Sequence, residues 1–208
     1  LDDLDALCLT SNILYKDEPI GHTVVHHTSN ERIALIGLCT DYIPNWEKPE
    51  HIKNFRFLDP IETLKQEIAK VEVDKIIVFY HGGFERDLKD GHPTEKLTGE
   101  NVGYEILTTS GVDALFSGHQ HRSIAQSVLN KPALQCALNA NEFMVLELES
   151  MTPYLSSMKD YDIDKSIELL IKPFDEQTQP WLDQELGQIK GHDFKIKDAF
   201  QARLHKHP

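Results

Sequence analysis

Ile76-Ile77-Val78-Phe79-Tyr80-His81-Gly82-Gly83 is an apolar run that ends abruptly in one histidine and two glycines. A continuously apolar run of this length, rich in β-branched and aromatic residues, is the pattern of a strand buried on both faces, as in the parallel sheet of an α/β protein. The open end of such a sheet is where sites are built, and paired glycines let the backbone turn sharply and approach a ligand. Phe116-Ser117-Gly118-His119-Gln120-His121 repeats the design with a strand, a glycine and two histidines one residue apart. In an extended segment those two side chains share a face. One strand-end histidine is most simply a residue bonded to nearby backbone. Two such motifs in neighbouring strand-helix units point instead to a shared metal site formed by His81, His119 and His121.

Working outward, further β-rich runs are read at residues 7–12, 23–27, 33–38, 114–117, 133–136 and 143–148. Asp59-Pro60-Ile61-Glu62 has the form of a helix start, with Asp59 as cap, Pro60 in the first turn and Glu62 closing a capping box. Ile61, Leu64, Ile68 and Val71 then follow at helical spacing. A second helix is expected over about 101–109, between the 76 and 114 strands, which gives the βαβ alternation of a layered α/β domain. After Leu148 the sequence becomes polar and helical, from Asp162 to about Leu186, with Pro173 and Pro180 expected to break the helix into pieces. The expected division is therefore 1–149 and 150–208, with the boundary near 149–152.

The formal net charge of -13 leaves no basic stripe for bulk nucleic acid. A small phosphorylated ligand is compatible with it if a cation screens the site. Cys8, Cys39 and Cys136 are too few for a disulfide framework and read as core thiols. No apolar run is long enough to span a bilayer. The first and last residues carry neither a start nor a stop signal, so both ends are expected to be cut. The remaining histidines, His22, His26, His27, His51, His92, His192, His205 and His207, read as solvated surface.

Several motifs at related spacing resemble the calcineurin-like metallophosphoesterases. These are Gly118-His119-Gln120-His121, His81-Gly82-Gly83-Phe84-Glu85, Leu97-Thr98-Gly99-Glu100-Asn101 and Ile43-Pro44-Asn45-Trp46-Glu47-Lys48-Pro49. Within that family they are most similar to the 5'-nucleotidases and 2',3'-cyclic-nucleotide 2'-phosphodiesterases, over about residues 1–148. The resemblance implies the second half of a four-layer αββα sandwich, followed by a helical linker and the start of a C-terminal nucleotide-binding domain. It also implies hydrolysis of nucleotide phosphoesters with two divalent metal ions, Zn, Mn or Fe. His81 and His119 would serve one ion and His121 the other. Glu85 and Asn101 are candidate substrate contacts, and no catalytic residue is identified.

The family's Asp-x-His motif, bridging Asp and Asn-His pair have no counterpart here. The stretch Gln135-Cys136-Ala137-Leu138-Asn139-Ala140 stands where the family usually has Gln-Pro-Gly and further glycines. The expectation is an enzyme in the intact parent and a chain incomplete for catalysis by itself. The alternative is a non-catalytic metal-binding or partner-binding fragment, prone to self-association if its sheet is truncated. The expected partner is a nucleotide or other small phosphoester, and the family implies a periplasmic, cell-wall or extracellular location.

Overall fold

The computed structural model describes residues 5–185. Its elements in chain order are β1 (Ile13–Tyr15), β2 (Glu18–Pro19), β3 (Val24–His27), β4 (Arg32–Cys39), α1 (Pro49–Ile52), β5 (Phe55–Phe57), α2 (Pro60–Lys70), β6 (Lys75–His81), α3 (Gly103–Thr108), β7 (Ala114–Ser117), β8 (Ile124–Val128), β9 (Lys131–Gln135), β10 (Glu142–Glu147), β11 (Thr152–Ser157) and α4 (Lys165–Leu182). The chain divides into a unit ending at Tyr161 and one beginning at Asp162.

A six-stranded sheet of order β3-β4-β6-β7-β9-β8 organises the first unit. Its four central strands are parallel and both edge strands run antiparallel. Because side chains alternate across a strand, the two faces carry different cores. Ile36, Val78 and Leu115 are fully buried on one face, with Leu64 of α2 and Ile106 of α3 in the same cluster. On the other face Ile33, Ile77 and Ala114 lie against Phe116, Leu146 and Met151, so the β10–β11 hairpin covers this side. Helices on one face and further strands on the other make this a mixed α/β fold, and the parallel strands aim the ends of β6 and β7 to one side.

The α2 start is built as read: Asp59 accepts from the Ile61 and Glu62 amides at 2.8 and 2.9 Å. Glu62 does not close a capping box, since its carboxylate takes the Lys65 ammonium at 2.7 Å. The run at 7–12 is not a strand. Only Thr10 bridges to Gly37, and the buried Asn12 side chain replaces a ladder by bonding Cys39 and Leu58 backbone.

The boundary expected at 149–152 falls in the turn between β10 and β11, two strands paired along their length. The cysteines are unpaired and half-buried rather than core thiols. In the second unit α4 runs unbroken through Pro173 and Pro180, contrary to the expected break. Every described residue of that helix is solvent-exposed, so water can take the carbonyls that each proline leaves without an N–H partner. Among the described residues no helix is long and apolar enough to cross a membrane.

Candidate metal centre

Parallel pairing sets Cys39 beside His81 and Tyr80 beside Ser117, so the ends of β4, β6 and β7 lie together. The loops leaving β6 and β7 carry the histidines. His81 and His119 rings meet edge-on with centroids 5.7 Å apart. A Cβ on Gly118 would lie 3.5 Å from His81 Nδ1, which puts that nitrogen against the second loop. His121 is close enough for its charge to bear on His81.

The second loop is not extended. His119 and His121 both take left-handed φ, 68° and 56°, and the Gln120 amide closes a tight turn on the Gly118 carbonyl at 2.8 Å. A left-handed residue other than glycine costs roughly 1–2 kcal/mol, and strain of this kind gathers at functional sites when neighbouring structure enforces it.

Here the enforcement is visible. Gln120 reaches across to the first loop, where its Oε1 accepts from the Phe84 amide at 3.0 Å and its Nε2 donates to the Phe84 carbonyl at 3.1 Å. The side chain passes directly over Gly83, where a Cβ would occupy the same space. Gly82 is likewise covered by the Tyr80 ring. Neither glycine takes a left-handed φ, so both are needed for space and not for the sharp turn read from the sequence.

The two candidate substrate contacts are engaged inside the fold. Asn101 accepts from the Gly83 amide at 2.6 Å and donates to Glu95 at 2.8 Å, which ties the loop before α3 to the glycine turn. Glu85 is 4% exposed and each of its oxygens accepts a backbone N–H at the start of α3, from Tyr104 at 3.0 Å and Glu105 at 3.1 Å. It serves as a cap supplied from another loop. Burial pushes the Glu85 carboxyl above its usual range, and the two amide bonds oppose this. Arg86 turns back to the Gly91 carbonyl at 3.1 Å. Among the other histidines, His22, His26, His27, His51 and His92 are exposed as read, and His192, His205 and His207 lie outside the described residues.

Three features at this site were not read from the sequence. Trp46 stacks on His119 at 5.1 Å and 26°. Glu100 lies 2.9 Å from His119 Nε2. Gln135, fully buried, accepts from the Arg122 amide and donates to Ser117, fixing the far side of the histidine loop.

His81 is exposed at the end of β6, yet partial desolvation of its ring, followed by the neighbouring His119 and His121, pushes its pKa below the ordinary value. That favours the neutral ring a metal ligand requires. The donor chemistry therefore fits a divalent transition ion: imidazoles from two loops, one of them with a lowered pKa. In number it is partial, because among the described residues no group of three or more histidine, cysteine or carboxylate side chains is gathered tightly enough to enclose an ion.

No family model matches the chain. A crystal structure of a candidate 5'-nucleotidase from Staphylococcus aureus, solved with α-ketoglutarate, superposes with a TM-score of 0.77 at 31% identity over 98% of this chain. The chain is similar to part of a 5'-nucleotidase. It spans 42% of that structure's length. Two Bacillus subtilis (strain 168) proteins are similar in sequence. The trifunctional nucleotide phosphoesterase protein YfkN is 28% identical over 106 residues, which is 48% of this chain and 7% of YfkN. Endonuclease YhcR is 27% identical over 120 residues, 56% of this chain and 9% of YhcR. The chain thus spans less than half of the Staphylococcus structure it matches and under a tenth of the curated relatives.

Proposed function

We propose that this chain forms part of a domain that hydrolyses nucleotide phosphoesters with divalent metal ions, and that it supplies three of the ligands, His81 and His119 to one ion and His121 to the other. The observation that carries this reading is the 5.7 Å approach of the His81 and His119 rings at the ends of neighbouring parallel strands. Bound divalent ions supply Lewis-acid polarisation of a phosphoryl oxygen and acidification of water. The chain's own contribution is positional. The Gln120–Phe84 pairing fixes the two histidine loops against each other. Asn101 holds the Gly83 turn, and Trp46 roofs His119.

The names of the relatives favour nucleotides and phosphodiesters as the substrate class. The charge of -13 favours small substrates over polymeric nucleic acid. Zn and Fe suit imidazole donors, and Mn suits a site completed by carboxylate or water oxygens. Three neutral imidazoles do not screen two dications from each other, so this chain alone is expected to hold a metal pair weakly and to turn over slowly. The purified 208-residue chain incubated with Zn or Mn and a 2',3'-cyclic nucleotide, or with bis-p-nitrophenyl phosphate, tests this. Negligible turnover with measurable metal binding is the expected outcome, and fast, chelator-sensitive hydrolysis would overturn the incompleteness.

A non-catalytic metal-binding or partner-binding fragment is the competing reading, and one observation favours it: no described group of three or more donors closes on an ion. A chain that binds no divalent ion while forming stable complexes with itself or another protein would shift the balance to that reading.

A further inference from the structure

The loop between α3 and the glycine turn carries a carboxylate that neither the fold nor the phosphoesterase reading uses. Glu100 Oε1 lies 2.9 Å from His119 Nε2, with both side chains about a quarter to a third exposed, at 31% and 25%. The backbone around Glu100 is anchored independently of that contact. Its carbonyl accepts the Tyr80 hydroxyl at 3.3 Å, its amide bonds Thr98 Oγ1 at 3.3 Å, and the next residue, Asn101, holds Gly83. The backbone that carries the carboxylate is therefore fixed opposite the His119 ring. Trp46, stacked 5.1 Å from the same imidazole, fixes the plane of the ring.

We propose that Glu100 is a positioning residue for His119: its carboxylate holds the hydrogen on Nε2, so that Nδ1 keeps the lone pair and faces the metal. This rests on the metal-site reading. The reasoning is chemical. A carboxylate can only accept, so the ring nitrogen beside it must donate. In a neutral imidazole the other nitrogen is then the acceptor and the ligand atom. A carboxylate behind a ligating histidine fixes its tautomer and orientation and raises its basicity, and losing such a partner typically lowers metal affinity by roughly 10- to 100-fold. Among the described residues, His119 is the one of the three histidines with a carboxylate partner at hydrogen-bond distance.

The test uses the 208-residue chain, its Glu100→Ala and Glu100→Gln variants, and Asp90→Ala as a control that removes an equal charge from an exposed loop. Two quantities are read. Zn affinity is measured by competition with a chromophoric chelator, and the tautomer of His119 in the metal-free chain by nitrogen-detected NMR. The expected result is a wild-type His119 in the Nε2–H form, a mixture of tautomers in Glu100→Ala, and Zn affinity lower by about 10- to 100-fold. Glu100→Gln, which keeps an accepting oxygen, recovers the tautomer and part of the affinity, while Asp90→Ala stays within about twofold of wild type. An unchanged tautomer in Glu100→Ala overturns the proposal, as does Zn affinity reduced no more than in Asp90→Ala. If the wild-type chain binds no Zn, the metal reading falls by itself, and the tautomer measurement still decides whether Glu100 sets the proton.

Discussion

Gly83→Ala isolates the contact that joins the two histidine loops. The new methyl would enter the space filled by the Gln120 side chain, which is flexible enough to swing away, so the cost is not the overlap itself. What is lost is the pair of hydrogen bonds to Phe84, at 3.0 and 3.1 Å. Each such bond contributes about 1 kcal/mol, and a buried group left without a partner costs about 1–3 kcal/mol. Phe84 is fully buried, which places the expected loss at about 2–4 kcal/mol.

In a Gln120→Ala background those bonds are already gone and the space is open. Gly83 does not use a left-handed φ, so alanine there should be neutral or stabilising by up to about 1 kcal/mol through the unfolded chain. Urea denaturation of wild type, both single variants and the double variant closes the cycle, with an expected coupling of about 2–3 kcal/mol. Additive effects, within about 0.5 kcal/mol, would refute the claim that Gln120 clasps the first loop over Gly83.

Three other outcomes follow from the same structure. Gly37→Ala should cost at least about 2 kcal/mol in chemical denaturation, because its Cβ would lie 2.6 Å from Leu9 backbone that is itself bonded to Gly37 and cannot yield like a side chain. Asn12→Ala strips the three bonds that this fully buried side chain makes to Cys39 and Leu58 and should cost about 3 kcal/mol by the same assay, with Asn12→Leu no better. His81, whose pKa is lowered by burial and its histidine neighbours, makes no contribution to pH dependence when both folded and unfolded states are neutral. As pH falls below the ordinary value of 6.5, the unfolded chain takes up the proton first, so stability falls with acid and levels off below the folded pKa. Thermal midpoints between pH 8 and 5 should show that loss, and His81→Gln should show less of it.

Much of the sheet was legible because its signal is local. The β6 and β7 runs are continuously apolar, bounded by charged or glycine residues, and buried apart from the exposed Phe79 and His81 and the half-buried Lys75 and Phe116, and the Asp59 cap is a two-residue pattern that works through adjacent amides. The strands β1, β2, β5, β8 and β11 were missed. Ile124–Val128 has buried ends around an exposed middle, and Phe55–Phe57 gains its strand character only by pairing with Ile13–Tyr15. Such pairing is set by partners distant in sequence.

The candidate site divides the same way. The histidines announce themselves by type and spacing, whereas the roles of Glu85, Asn101, Gln120 and Glu100 depend on which backbone or ring atom lies opposite. For Glu85 and Asn101 that tertiary context supplies backbone partners that the sequence does not show. A signal for Gln120 was present: a long amide between two histidines, matched by two glycines across the site.

The central claim is that His81 and His119 share a divalent ion. Anomalous diffraction from crystals of the chain soaked in Zn tests it most directly. The account predicts a peak about 2.0–2.1 Å from a nitrogen of each ring, on the Nδ1 side of His119. A peak found only on surface histidines such as His26 and His27, with no density between residues 81 and 119, would contradict it.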